Sequence, residues 1–134
     1  MTSRDPTDVY QTTWPLIVKL LNVDTTHCIH HGYYDKGIRT HHQAVQRMND
    51  LVGQLLGLHT TTITTVLDAG CGVGGTVLHL AKKHPTIHFT GITTIPEHIT
   101  TAQHLAEEHH VEHNTTFHQQ DFMHTSFPDH SFDA

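Results

Sequence analysis

Charge is scarce in this chain of 134 residues: Asp, Glu, Lys and Arg make up 15% of it, with seven basic side chains against thirteen acidic ones. A formal charge of −6 argues against a nucleic-acid partner, which needs a basic footprint. Cysteine is nearly absent. Cys28 and Cys71 are the only two, too few for a disulfide framework. No apolar run approaches the roughly 18 residues of a membrane span, so stable membrane insertion is not expected. The opening stretch MTSRDPTDVY lacks the basic-then-apolar pattern of a secretory signal, and a soluble cytoplasmic protein is the expectation. Hydrophobic residues reach 36%, low for a self-sufficient core. Threonine and 17 histidines fill the difference.

The length suits one small domain. Two parts are expected within it: a helical cap over residues 1–57 and an α/β portion over 58–134. In the first, Trp14, Leu16, Ile17, Leu20 and Leu21 fall near helical spacing. Residues 25–39 read as a loop with aromatics, and Thr40 can cap a helix running to about Leu56. Ala44, Val45, Met48, Leu51, Val52, Leu55 and Leu56 line one face of that helix, and Gly57 stops it. The second part alternates strands and helices. Strands are expected at Thr64–Leu67, Ile87–Ile92 and Thr115–Gln120, with a fourth beginning at Phe132. One helix runs from Gly75 or Thr76 to Lys83, and a second is capped by Thr94-x-x-Glu97 and buries Ile99, Ala102, Leu105 and Ala106. This rhythm argues for a Rossmann-like parallel sheet with right-handed crossovers, beneath an N-terminal helical cap. The closing FPDHSFDA stops inside an apolar rise, so the sheet is expected to be truncated at its fourth strand.

Val66 to Thr76 reads VLDAGCGVGGT, an acid running into four glycines within six residues. Gly70-x-Gly72-x-x-Gly75 also satisfies the dinucleotide pattern, so the glycines alone do not name a ligand. Asp68 does more. It ends a strand, at the edge of the sheet where doubly wound folds hold ligands. A pyrophosphate is repelled by such a carboxylate, whereas the ammonium and sulfonium of S-adenosylmethionine are attracted to it. Gly70, Gly72 and Gly74 permit positive φ and close backbone approach.

VLDAGCGVGG resembles the first motif of class I S-adenosylmethionine-dependent methyltransferases. FTGITTIPEHI is similar to the second-strand segment of the group that holds tocopherol methyltransferases and cyclopropane fatty acid synthases. QQDFMHTSFPDHSFDA resembles their third motif, and IHHGYYDKGIRTHHQAVQRMNDLV their N-terminal cap. The resemblance implies that Asp68, Gly70, Gly72 and Gly74 hold the methionine end of S-adenosyl-L-methionine. It implies that Asp121 accepts from the adenine amino group, with Phe122 beside the ring. The acid that most of the superfamily carries at the end of the second strand is replaced here by Thr93 and Thr94. His98 stands where the related group has a Gln, so the resemblance gives ribose binding to Thr93, Thr94 and His98. Tyr33 or Tyr34 would face the sulfonium. The activity implied is methyl transfer to a small-molecule or lipid acceptor.

The histidines add little that is specific. His109, His110 and His113 have spacings that a metal could use on a helix, but they read as a solvated surface, and no metal site is expected. His30, His31, His41 and His42 lie near the cap, where a general base could act, and no catalytic residue is assigned. Three rival readings stand: a truncated cofactor-binding fragment without activity, a nicotinamide-dependent oxidoreductase, and a histidine-rich metal-binding protein. The oxidoreductase needs an acid where Thr93 stands.

Overall fold

The computed structural model describes residues 12, 13, 15–19 and 23–134. Three parallel strands form one sheet: β1 (Thr65–Ala69), β2 (His88–Thr93) and β3 (Thr115–Gln119), in the order β1-β2-β3. Among the described residues three longer helices accompany them, α1 (His41–Leu55), α2 (Gly75–Lys83) and α3 (Pro96–Glu108), and residues 15–19 of the expected first helix are helical as well. A helical turn at Val23–Thr26 precedes α1 and runs two residues into the stretch expected to be loop. Trp14, Leu20 and Leu21 of the expected first helix lie outside the described residues. Among those described, no helix is long and apolar enough to cross a membrane.

The core forms where α2 and α3 cover the sheet. Val77, Leu78, Leu80 and Ala81 of α2 meet Ala102, Leu105 and Ala106 of α3 over Val66, Phe89 and Phe117 of the strands. β2 is buried from Phe89 to Thr93, as a central strand covered on both faces must be. The strand expected at Phe132 survives as a short pairing along the free edge of β1. The Leu67 N–H donates to the Ala134 carbonyl at 2.9 Å, and the Asp133 N–H to the Thr65 carbonyl at 3.0 Å. Asp133 Oδ2 accepts from the N–H and hydroxyl of both Thr64 and Thr65 at 2.8–3.1 Å, which draws its carboxyl down to about 2.

Thr40 caps α1 as its sequence requires: the hydroxyl accepts from the Gln43 N–H at 3.2 Å, and the Gln43 side chain accepts from the Thr40 N–H in return. The buried face of α1 differs from the one expected. Ala44, Val45, Asn49 and Gly53 are buried, while Leu55 is 79% exposed. The reason is the crossing with α2. A Cβ on Gly53 would lie 2.9 Å from Leu80 Cδ2, so the helices approach most closely along the i+4 row through residues 45, 49 and 53. Leu55 and Leu56 are turned off that row. Asp50 reinforces the contact, with His79 Nε2 at 2.6 Å and Lys83 Nζ on the same oxygen. Burial pushes the Asp50 carboxyl up, but the bonds from His79 and Lys83 outweigh it and hold it below the usual range.

The cap of α3 is a correction. Thr94 does not cap the helix; Ile95 occupies that position without a side-chain bond. Pro96 at the first turn presets φ and shifts the start by one residue. Thr93 supplies the nearest substitute, accepting the Ile95 N–H at 3.4 Å.

Asn114 closes the back of the β2 crossover. It is buried, and its Nδ2 donates to the carbonyls of Ala81 at 3.2 Å and Ile87 at 3.1 Å. One amide thus joins the end of α2 to the residue before β2. Asn114→Ala leaves buried carbonyls without a donor, and such groups cost about 1–3 kcal/mol each. The expected loss is about 2 kcal/mol in thermal or denaturant unfolding. A change below about 0.5 kcal/mol, the scale of an ordinary surface substitution, would show that water replaces the amide freely.

Candidate cofactor site

The sheet gathers the expected site residues along one edge. Parallel register sets Asp68 beside Gly91, Ala69 beside Ile92 and Thr93 beside Gln119, so the three strands deliver Asp68, Thr93–Thr94 and Gln120–Asp121 to a common end. The connections reinforce this. Gly70 and Cys71 both donate their N–H groups to the Ile92 carbonyl at 2.9 Å, and Gln120 donates to the Thr93 carbonyl at 3.1 Å.

Between β1 and α2 the chain makes a loop with positive φ at Gly70 (105°), Gly72 (56°) and Gly74 (86°). The glycines divide by what surrounds them. A Cβ on Gly70 or Gly72 would meet open space, so neither glycine is required by packing. A Cβ on Gly74 would press into Phe117 at 2.9 Å, and its N–H is spent on the Cys71 carbonyl at 2.9 Å. Gly74 therefore caps α2 and packs on the core. Gly75 is tighter still: a Cβ there would fall 2.1 Å from the His27 carbonyl oxygen and 2.5 Å from Cys28 Sγ. The segment after the Val23–Thr26 turn lies directly against the first turn of α2.

Asp68 is partly buried at the mouth of this loop. Burial pushes its carboxyl above the usual range, and the charge of His30 pulls it partway back. Cys71 is pushed up to about 12 by burial and by the neighbouring Asp68 carboxylate, so it is a neutral thiol at neutral pH. The ribose trio is less uniform. Thr93 is buried with its hydroxyl on the Ile95 N–H, Thr94 is exposed, and His98 is buried within α3. Burial lowers the His98 pKa, which leaves a neutral imidazole at neutral pH. Asp121 is exposed beyond β3; its Oδ1 accepts from the Met123 N–H at 2.9 Å, and Phe122 beside it is 61% exposed. Tyr33 is 41% exposed in the cap loop, tied to α1 by its N–H on the Ala44 carbonyl at 2.8 Å. Tyr34 shares a hydrogen bond with His41 Nδ1 at 3.2 Å.

One group is new to the site. Asn49 of α1 is buried 2% exposed, and its side chain joins three segments: Oδ1 takes the Thr76 hydroxyl at 3.1 Å and faces His30 Nε2 at 2.9 Å, while Nδ2 donates to Cys28 Sγ at 3.6 Å. The sequence carries one signal of it, a polar residue inside the apolar i+4 row of α1. Among the described residues, no group of three or more His, Cys, Asp and Glu side chains could hold a metal.

Residues 66–134, just over half of the chain, match the family described as a methyltransferase domain. A sterol 24-C-methyltransferase of Neurospora crassa is 33% identical over 128 residues, covering 96% of this chain and 30% of that protein. Norajmaline N-methyltransferase of Rauvolfia serpentina is 33% identical over 112 residues, covering 78% of this chain and 38% of that protein. Among solved structures, the [4+2]-cyclase SpnF superposes with a TM-score of 0.80 at 31% identity, over 99% of this chain and 47% of the cyclase. The chain belongs to the methyltransferase domain family and has the Rossmann-like fold of its class I members. It spans about a third of the length of these two curated relatives.

The packing at Gly75 yields a test. Gly75→Ala forces the 27–28 segment off α2, an overpacking that costs roughly 1–3 kcal/mol. Cys28, now 4% exposed, is then expected to react with a thiol reagent at least tenfold faster, read by peptide-resolved mass spectrometry. Unchanged labelling with unchanged stability would show that the segment yields without cost.

Proposed function

We propose that the chain forms the cofactor-binding part of a methyltransferase that moves a methyl group from S-adenosyl-L-methionine to a small-molecule or lipid acceptor. The observation that carries this reading is the Asp68 carboxylate at the mouth of a loop whose Gly70 and Gly72 border open space. A carboxylate there favours the ammonium and sulfonium of the cofactor and repels a pyrophosphate. Family membership supports the same reading, and so do relatives named for methylating a sterol and norajmaline.

In this reading Asp68 and the backbone of Gly70 and Gly72 hold the methionine end. Gly74 acts one step back, by shaping the loop. Thr94 is the accessible hydroxyl for the ribose, with Thr93 and His98 behind it. Asp121 accepts from the adenine amino group while Phe122 covers the ring, and Tyr33 lies on the cap side. S-adenosyl-L-methionine supplies the electrophilic methyl carbon. The protein's part is alignment and exclusion of water, and alignment alone is worth roughly 7–11 kcal/mol of barrier. No base is assigned.

The likeness to a [4+2]-cyclase favours a second reading, in which the chain belongs to a protein that keeps the fold and the cofactor pocket without transferring a methyl group. Binding and turnover are therefore separate measurements. Calorimetry on the intact chain is expected to show S-adenosylhomocysteine binding and no NAD binding; tighter NAD binding would replace the methyltransferase reading with the oxidoreductase. Asp68→Asn is expected to weaken S-adenosylhomocysteine at least tenfold. Gly72→Val is expected to abolish binding, because a β-branched side chain both resists φ of 56° and fills the open space. Full affinity in a folded Gly72→Val variant would reduce the loop to a turn. Labelled methyl transfer to a panel of sterols, amines and phenols then separates the methyltransferase from the cyclase-like alternative.

A further inference from the structure

A cavity of about 180 Å³ opens where the Val23–Thr26 turn, α1 and α2 come together. It is a different place from the cofactor site: none of Asp68, Gly70, Gly72, Thr93, Thr94 and Asp121 lines it. Part of its wall is apolar and buried, made by Val45, Gly75 and Leu78. The rest is polar, and its charge has one sign. His27 comes from the end of the turn, His42 from α1, His79 and Lys82 from α2, and His109 from the last residue of the α3 cap. Thr26, Gln46 and Asn49 add a hydroxyl and two amides. Among the described residues, no Asp or Glu lines the cavity.

Two carboxylates of the surrounding helices are engaged with other partners. Asp50 of α1 holds His79 Nε2 at 2.6 Å and Lys83 on the same oxygen, and Glu108 of α3 pairs with His104 at 3.8 Å. Lys82 pairs with no carboxylate among the described residues. Two of the imidazoles are set by packing. The His27 ring meets the His109 ring edge-on, with centroids 5.7 Å apart, and both residues are partly buried. His27 also holds φ at 52°, in the left-handed region that side chains rarely adopt. Such strain tends to collect at ligand sites.

Size and chemistry narrow the occupant. One water needs about 10–15 Å³ of such space, so the cavity has room for more than a single solvent molecule. Sites for drug-sized molecules run to roughly 300–1,000 Å³, so the occupant is small. A metal does not fit the donor set: among the described residues, no three His, Cys, Asp or Glu side chains converge as ligands. Cationic and N–H donor groups spread around a void, with no acid among them, suit an anion with several acceptor oxygens.

We propose that this cavity is an oxyanion site, taking a sulfate- or phosphate-sized group between the Val23–Thr26 turn, α1 and α2. Lys82 and the four imidazoles supply the charge, His79 oriented by Asp50. The site is independent of the S-adenosylmethionine reading, because the two share no lining residue named for that cofactor.

The intact chain is titrated with sodium sulfate, and with sodium chloride at matched ionic strength, at about pH 5.5, where an ordinary imidazole is charged. Sulfate keeps its double charge across the range used, so pH acts on the protein alone. Imidazole proton–carbon NMR is expected to show His27, His42, His79 and His109 shifting with one common, saturable midpoint in sulfate and not in chloride. Near pH 8 that midpoint is expected to rise about tenfold, the loss of two imidazolium contacts at about threefold each. Lys82→Gln and His42→Gln, both at exposed positions, are each expected to weaken sulfate about threefold. Lys36→Gln, which does not line the cavity, is expected to leave the midpoint unchanged. Glycerol phosphate separates the sources of the group. Tighter binding than sulfate assigns the site to a phosphate carried on a small molecule, and binding no tighter assigns it to the free anion. Shifts that grow without saturating, or that chloride reproduces, would overturn the proposal. So would an unchanged midpoint in a folded Lys82→Gln, His42→Gln double variant.

Discussion

The His27 carbonyl occupies the place where a side chain on residue 75 would begin. Because Gly75 has none, the loop that follows the Val23–Thr26 turn can lie on the first turn of α2. Cys28 is buried by the same approach, and His30 is carried to within hydrogen-bond reach of Asn49. The position of α2 is in turn set by that loop, whose Gly70 and Cys71 hang from the Ile92 carbonyl of the neighbouring strand. A displacement at this one contact would be felt from α1 to the end of β2.

The electrostatics of the site follow from the same closeness. A carboxylate partly withdrawn from water is costly unless something answers it. Burial raises the Asp68 carboxyl and the charge of His30 offsets part of that rise, while the Cys71 thiol is kept neutral by burial and by the same carboxylate. This end of the sheet thus carries two carboxylates, Asp68 partly buried and Asp121 exposed, beside a neutral Cys71 thiol, an arrangement suited to holding a cationic ligand in place.

Much of this was legible in the sequence, for identifiable reasons. Asp68 and the glycine loop are local signals: an acid after β-branched residues, then residues that alone tolerate positive φ. The helix at residue 41 announces itself through Thr40, whereas the helix at 96 was expected to start on a Thr94 cap that Pro96 displaced by fixing its own φ first. What periodicity missed is tertiary. It assigned Leu55 and Leu56 to the buried face because they are apolar, whereas the crossing at Gly53 decided which row of α1 faces α2. It passed over Asn49 because a polar residue in an apolar row acquires meaning only when Cys28, His30 and Thr76 arrive from elsewhere in the chain. Gly74 shows the converse. Its place in the motif made it a ligand residue, but Phe117 beneath it gives it a packing role.

Asn114 has a bearing on the order in which the chain can assemble. The β1–α2–β2 unit looks like a self-contained piece, yet its turn is completed by an amide that arrives more than twenty residues after β2 begins. Until the segment ahead of β3 is in place, the carbonyls at residues 81 and 87 must be satisfied by water, which keeps that corner open. A ribosome that has released only the first crossover has therefore made a piece that cannot close, and folding of the two crossovers is coupled through one side chain. Cooperativity here is written into a single polar residue as much as into the apolar core.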